Sequence, residues 1–152
     1  MVKINQKVIL DKLPYSKPFL FVDELLEINE NGVKGCYTFD AHLDFYKGHF
    51  KNNPITPGVI LTETMAQIGV VCLGVYLLKD ETAKEQTQIF MTSTNVDFLK
   101  PVYPGEKVTV ISEKKYFRFN KLQCQVKMLN STNDIVCSGL ISGMFIHKSD
   151  EK

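Results

Sequence analysis

The side chains of this 152-residue chain that could do acid–base chemistry are concentrated between positions 48 and 67. His49 stands just before a predicted helix, and Glu63 falls inside that helix among mostly apolar residues. Burial disfavours the charged form of a carboxyl group and raises its pKa, so Glu63 is a candidate general acid. His49 is the candidate proton acceptor, because an imidazole has an ordinary pKa near 6.5. A structural ion pair for Glu63 and a turn position for His49 are the simpler alternatives.

Two more residues of this segment bear on the same chemistry. Gly58 lies in the first helical turn, where backbone N–H groups lack a helical acceptor and the helix dipole is positive, so a ligand carbonyl could approach it. Tight packing against a strand would equally explain a glycine there. Gln67 follows Glu63 by four residues on the same helical face, and is either a hydrogen-bond partner that orients the carboxyl group or a polar filler.

The remaining histidines offer weaker candidates. His42 lies in a polar loop between Asp40 and Asp44, and His147 is close to the C-terminus. A site built from His42, Asp44 and His49 would lack any recognised metal-ligand spacing. We therefore predict no metal centre.

One helix and two groups of strands must position these residues. Thr56 suits an N-cap and Pro57 suits the first helical position, and the helix is predicted to run to about Leu78. A helix that is apolar on nearly all sides must be enclosed by other elements. Turns rich in Pro, Gly and Asn separate predicted strands at 19–28, 33–39, 88–99, 107–119, 122–129 and 135–146. This order predicts an α+β domain in which a curved antiparallel sheet wraps around one long central helix.

Composition and length predict one ordinary domain. Hydrophobic residues make up 44% and charged residues 23%, and no repeat or linker divides the chain, so we expect a single domain over 1–147 and a tail over 148–152. The 18 Lys and Arg nearly balance the 17 Asp and Glu, and Arg118 is the sole arginine, which argues against binding to nucleic acid or anionic membranes.

The compartment follows from the cysteines and from the hydrophobic segments. The four cysteines lack the spacing of a zinc site or of a small disulfide framework, and the N-terminal residues lack the features of a secretory signal. The apolar run from Ile68 to Leu78 is shorter than the roughly 20 residues that a membrane span requires. We therefore expect a cytoplasmic protein with no membrane segment.

Several motifs together resemble those of the 3-hydroxyacyl-acyl-carrier-protein dehydratases of the hot-dog fold. They occur in the family's order and spacing from residue 13 to about 145: Leu13-Pro14, Pro18 to Asp23, Gly48-His49-Phe50, Pro54, Pro57-Gly58-Val59-Ile60, Glu63 with Met65-Ala66-Gln67, and Pro101 to Glu106. The chain departs from the common pattern at Tyr15-Ser16-Lys17, where the family has His-Arg-Tyr, at Leu99-Lys100, where Arg-Arg is frequent, and at Thr56, where methionine is usual. We expect the first two departures to affect carrier recognition rather than chemistry.

The resemblance implies that water is eliminated from a 3-hydroxyacyl thioester held on the phosphopantetheine of an acyl carrier protein. The product would be a trans-2-enoyl thioester, made without a metal or redox cofactor, in fatty acid or related lipid, polyketide or pigment biosynthesis. His49 would remove a C2 proton, Glu63 would act as the acid at the departing hydroxyl, and Gly58 N–H would polarise the thioester carbonyl. Further substrate contacts are expected from Phe50, Pro57, Val59 and Gln67.

The resemblance also implies an assembly and a carrier partner. The family forms homodimers, in some cases trimers of dimers, in which the histidine and the acidic residue come from different subunits. An acidic carrier helix would meet lysines such as Lys47, Lys51 and Lys100. The acyl chain would lie in an apolar tunnel, for which the candidates are Ile55, Ile60, Leu61, Phe90 and Phe98. The alternatives are a hot-dog acyl thioesterase and a non-catalytic acyl-binding subunit of a heteromeric dehydratase.

Overall fold

The computed structural model describes residues 6–79 and 87–147. Its sheet has six antiparallel strands in the spatial order β1-β2-β4-β5-β6-β3. The strands are β1 (Glu24–Asn29), β2 (Gly32–Thr38), β3 (Thr87–Phe98), β4 (Lys107–Arg118), β5 (Lys121–Leu129) and β6 (Ile135–His147). The helical elements are α1 (Gln6–Asp11), a 3-10 turn (Asp44–Lys47), α2 (Gly58–Ala66), a π-helical turn (Gln67–Val71) and α3 (Cys72–Leu77).

The last three of these elements form one continuous central helix from Gly58 to Leu77. By length and composition it could cross a membrane, but 72% of its most apolar stretch is buried in the domain, as expected of a core helix. The inward side chains of the strands cover it, because alternate residues of β4 and β5 are buried. The predicted α+β arrangement of a curved antiparallel sheet around one long helix is confirmed.

The helix and the sheet approach each other closely at two glycines. A Cβ atom on Gly74 would lie only 1.9 Å from the ring of Phe145 in β6, so only glycine fits there. At Gly69, within the π-helical turn, the backbone carbonyl accepts a hydrogen bond of 2.8 Å from Ser112 Oγ of β4. A π turn disturbs the regular helical ladder, and this buried hydroxyl satisfies one of its carbonyl groups.

The start of the helix differs by one residue from the sequence prediction. Pro57, rather than Thr56, is the N-cap, and the Pro57 carbonyl accepts the N–H of Leu61. The Thr56 hydroxyl does not cap the helix, because it lies 2.6 Å from the hydroxyl of Tyr46 in a buried side-chain pair. A tertiary partner has therefore replaced the local capping interaction.

Other differences concern short elements. The first strand begins at Glu24 rather than residue 19, because residues 19–23 turn toward the central helix, where the Phe21 N–H is bonded to Gln67. The sequence pattern does not predict α1, the 3-10 turn or the π-helical turn. The predicted tail over 148–152 lies outside the described residues.

Strand β3 occupies one edge of the sheet and pairs only with β6 among the described strands. The strand carries several exposed apolar side chains along its length. Phe90 is 48% exposed, Met91 39% and Phe98 49%, and the adjoining Leu99 is 63% exposed. This edge of the sheet is the one closest to the candidate site.

Candidate active site

Glu63 lies in the second turn of α2, where the sheet begins to cover the helix. Its carboxylate oxygen Oε2 accepts a hydrogen bond of 2.9 Å from Gln67 Nε2, one helical turn later. Burial raises the pKa of the Glu63 carboxyl above its ordinary value of 4.5, and the hydrogen bond from Gln67 opposes part of that rise. The carboxyl group is therefore held in a fixed orientation and favours the protonated form more than an exposed glutamate does.

Gln67 is fully buried and uses both ends of its amide group. Besides Glu63, its Nε2 donates to the carbonyl of Phe19 at 3.0 Å, and its Oε1 accepts the N–H of Phe21 at 2.8 Å. The segment 19–21 thus fixes the amide, and the amide fixes the carboxyl group. The hydrogen bond that the four-residue spacing allowed is present, and Gln67 is a positioning residue for Glu63.

Two hollows meet at Glu63. The inner cavity has a volume of about 220 Å³ and is lined by Tyr15, Glu63, Ala66, Val70, Val71, Ile89, Phe90, Met91, Ile141, Ser142 and Gly143. The outer groove has a volume of about 590 Å³ and is lined by Gly58, Val59, Thr62, Glu63, Met91, Thr94, Val96 and Phe98. Glu63 and Met91 line both, so the two hollows adjoin at these residues.

Gly58 begins α2 on the wall of the outer groove. The Phe98 ring of β3 lies 3.4 Å from where a Cβ of residue 58 would be, so a side chain here would press on that ring. Gly58 therefore packs against β3, and the approach of a ligand carbonyl to its N–H stays a prediction. A further hollow of about 320 Å³ beside Gly58 is lined in part by Lys100.

His49 lies in the loop before the helix and is half-buried. Its Nδ1 is 2.9 Å from the carbonyl oxygen of Ile55. A carbonyl oxygen only accepts hydrogen bonds, so Nδ1 carries the hydrogen in the neutral ring and Nε2 keeps a basic lone pair. The ring of Phe50 stacks on the imidazole with centroids 3.9 Å apart. These contacts fix the orientation of the imidazole ring.

Within one chain the structure brings only part of the predicted site together. Gly58, Val59 and Glu63 line the outer groove, and Val59 is 77% exposed there. His49 and Phe50 line neither of the hollows that Glu63 lines, and Pro57 does not either. In one chain the proposed proton acceptor thus shares neither of these hollows with the proposed proton donor.

The residues predicted to line the acyl tunnel are likewise only partly found in the hollows. Phe90 lines the inner cavity, Phe98 lines the outer groove and Leu61 lines the hollow beside Gly58. Ile55 and Ile60 line none of these three, and Ile60 packs against the core.

The sequence reading missed Tyr15 and Ser142 as cavity residues. In the sequence, Tyr15 stands out only as a departure from the family's motif, where we expect an effect on carrier recognition. The structure places Tyr15 in the same cavity as Glu63. Ser142 gave no signal in the sequence, because a serine in a strand is ordinary.

The metal interpretation has no support in the described residues. Across 6–79 and 87–147, no group of three or more His, Cys, Asp and Glu is arranged to hold a metal ion. The backbone N–H of His42 donates to Asp40 Oδ1 at 2.7 Å, which is a local turn contact. The side chain of His147 lies outside the described residues.

Comparisons with known proteins agree on one family. A family model described as a FabA-like domain matches residues 13–136. The chain is 36% identical over 136 residues to "3-hydroxyacyl-[acyl-carrier-protein] dehydratase FabZ" of Caldicellulosiruptor saccharolyticus, covering 86% of this chain and 91% of the relative.

Solved structures show the same fold at low sequence identity. The dehydratase heterocomplex ApeI:P from Xenorhabdus doucetiae superposes with a TM-score of 0.78 at 12% identity, covering 93% of each chain. A thioesterase from Haemophilus influenzae superposes with a TM-score of 0.59 at 18% identity, covering 81% of this chain and 77% of the other. The expected hot-dog fold is confirmed, and the fold is common to neighbours named for two different reactions.

Proposed function

This chain belongs to the family of FabA-like domains, and from that membership and the geometry around Glu63 we propose that it is a 3-hydroxyacyl-acyl-carrier-protein dehydratase. The reaction removes water from a 3-hydroxyacyl thioester and yields a trans-2-enoyl thioester, as a step of fatty acid or related lipid biosynthesis. The observation that carries the proposal is a half-buried carboxyl group with a raised pKa at the junction of two hollows.

The elimination needs three groups, and each has a candidate in this chain. The C2–H bond becomes acidic only when charge moving onto the thioester oxygen is stabilised, and the Gly58 N–H at the helix start is the donor for that oxygen. His49 Nε2 takes the C2 proton as the C2–C3 double bond forms. Glu63 gives its proton to the departing C3 hydroxyl, which leaves as water. The oxidation level of the substrate is unchanged overall, so the step requires no redox cofactor.

We propose that the reacting pair is completed by a second copy of the chain. Because β3 is an open edge of the sheet, an isolated chain would expose a row of unpaired backbone groups beside Phe90, Met91 and Phe98. Pairing the β3 strands of two copies would cover this edge next to the groove of Glu63. A two-fold symmetric dimer of this kind would bring His49 of one copy toward Glu63 of the other.

The proposed partner that delivers the substrate is an acyl carrier protein with an acidic surface. Lys100 lines the hollow beside Gly58, where a phosphopantetheine arm would enter, and its Nζ is 3.0 Å from Asp134 Oδ2. Lys47 pairs with Asp44 at 3.3 Å, and Lys51 is exposed in the loop of His49. These lysines are the candidate contacts for that acidic surface, and Lys47 and Lys100 would exchange their own carboxylate partners for those of the carrier.

We propose the cytoplasm, a reducing compartment, as the location of this protein, because its cysteines are free thiols. All four are buried free thiols, and burial raises the pKa of Cys124 to about 11 and that of Cys137 to about 12. Thiols in this state are poor nucleophiles, so we assign them to the core rather than to the reaction.

The function is tested by following two products from one substrate. Purified protein is incubated with a 3-hydroxyacyl thioester, and enoyl thioester absorbance is recorded beside the release of free thiol. We expect enoyl absorbance to rise without thiol release. Thiol release without the enoyl signal would replace the proposal with thioester hydrolysis, and neither signal with carrier-bound substrate would indicate a non-catalytic acyl-binding subunit.

A further inference from the structure

The inner cavity contains a hydroxyl group that the proposed mechanism does not use. Tyr15 lines it together with Glu63, among otherwise mostly apolar side chains. Among the described residues the Tyr15 hydroxyl has no hydrogen-bond partner, and its ring lies 6.5 Å from the ring of Phe19. The Ser142 side chain is on the other face of β6, because the next residue, Gly143, faces Val70 of the helix and the Ser142 hydroxyl pairs with Gln123 Nε2 at 3.1 Å.

The position of Tyr15 beside Glu63 indicates which part of a substrate it would meet. If Gly58 holds the thioester oxygen in the outer groove and Glu63 meets the C3 oxygen, the chain beyond C3 enters the inner cavity. This step rests on the proposed function. The inner cavity, with a volume of about 220 Å³, would receive that part of the acyl group.

The Tyr15 phenol stays neutral in this setting and can donate a hydrogen bond. Burial raises its pKa well above the ordinary value of 10.0, and the nearby Glu63 carboxyl raises it further. A neutral phenol that faces a purely hydrocarbon chain loses its water without gaining a partner, and such a loss is unfavourable. A ligand oxygen at the same place would instead accept its hydrogen bond.

We propose that the inner cavity selects 3-hydroxyacyl groups that carry an additional hydrogen-bonding oxygen beyond C3, and that Tyr15 is the residue that determines this specificity. The position at which this chain departs from its family's His-Arg-Tyr motif is thus assigned to recognition of the acyl group.

The test compares two thioesters that differ only in that oxygen. We would use the N-acetylcysteamine thioester of 3-hydroxyhexanoic acid and its analogue with a further hydroxyl on the terminal carbon. The wild type is expected to prefer the hydroxylated substrate by on the order of 10-fold in kcat/KM, the size of one hydrogen bond to a buried donor. In Tyr15→Phe the ratio should fall toward one, mainly through KM, whereas Ser142→Ala should leave it unchanged, because that hydroxyl lies on the other face of β6.

Tyr116→Phe is the matched control, because it removes a phenol hydroxyl from β4 at a position outside the cavity. This variant should retain the wild-type preference, and the unfolding midpoint of Tyr15→Phe should match that of the wild type. A wild type that prefers the plain chain, or a Tyr15→Phe protein that keeps the preference, would overturn the assignment.

A binding measurement separates this inference from the proposed reaction. The two corresponding trans-2-enoyl thioesters are titrated into the His49→Ala protein by calorimetry, which requires no turnover. Tighter binding of the hydroxylated compound, lost on adding Tyr15→Phe, would support the cavity assignment even if neither substrate is dehydrated. Equal binding of both compounds would refute it even if both are dehydrated.

Discussion

The loop of His49 and the helix of Glu63 differ in how completely one chain builds them. Glu63 receives its hydrogen bond, its burial and both of its hollows from its own chain. The loop of His49 is held through local bonds, such as Ile55 N–H to the His49 carbonyl and the reciprocal pair between Phe50 and Asn53, and its end is tied to the Val102 carbonyl by the Thr56 N–H. The single chain therefore preorganises the proposed acid, whereas the proposed base lies in a loop outside both hollows.

The same contrast explains where the exposed apolar surface lies. The hollows of Glu63 are walled by β3, which is an open edge, so the site reaches the boundary of the single chain. A second copy that covers β3 would complete the wall and shield the carboxyl group from water. Shielding would raise the pKa of Glu63 beyond the effect of burial in one chain.

The largest effect is expected for His49→Ala. Removing a general base costs on the order of 10²–10⁴ in turnover, and dehydration should fall to near background in the enoyl assay. Folding should be unchanged, because the His49 side chain contacts only the Ile55 carbonyl and the Phe50 ring among the contacts described above. His42→Ala, in the neighbouring polar loop, is the control. Wild-type turnover by His49→Ala would remove the base assignment.

Glu63→Gln tests whether Glu63 is the proton donor. The amide keeps the shape of the carboxyl group and can still pair with Gln67, but it has no acidic proton to deliver. We expect kcat to fall on the order of 10²-fold with little change in KM. A fall of less than a few fold in steady-state kinetics would mean that Glu63 is a structural polar residue.

A mixing experiment tests whether His49 of one chain and Glu63 of another form a site together. Equal amounts of His49→Ala and Glu63→Gln protein are unfolded together and refolded, and turnover is compared with that of each variant alone. Random pairing makes half of the dimers mixed. If the pair forms across a two-fold dimer, each mixed dimer has one site with both His49 and Glu63 unaltered and one site with neither. About a quarter of wild-type activity should therefore return. No recovery in the mixture, with dimers confirmed by light scattering, would place the pair within one chain.

The smallest effect on turnover is expected for Gln67→Met, which removes the amide that orients Glu63. The hydrogen bond from Gln67 lowers the pKa of Glu63, so its loss raises that pKa further. A higher pKa keeps the acid protonated to higher pH, and the alkaline limb of the kcat profile should therefore move to higher pH.

The same substitution leaves the Phe21 N–H and the Phe19 carbonyl without their partner, at a cost of about 1–3 kcal/mol in unfolding free energy, measurable with urea. Gln125→Met, on the exposed side of β5, controls for the change of side chain. An unshifted pH profile in Gln67→Met would show that the amide does not tune the acid.

Local patterns were sufficient to predict most of the fold. The strands β4, β5 and β6 were placed within a residue or two, because alternating apolar residues and Pro, Gly or Asn turns are local signals. The first strand was predicted five residues too early, because residues 19–23 are apolar enough for a strand but turn toward Gln67. Apolar pattern alone does not distinguish a strand from an irregular segment that packs on a helix.

The sequence by itself determined which residue types this chain could use for acid–base chemistry, and that one enclosed helix would carry the acid. Tertiary structure decided the environment of that acid: Tyr15 reaches the cavity of Glu63 from 48 positions earlier in the chain, and the partners of Gln67 are separated from it by 46 and 48 positions. Such contacts depend on the register of the strands and on how the sheet packs around the helix. A shift of one residue in a strand would turn its side chains to the other face, so no local pattern determines these contacts.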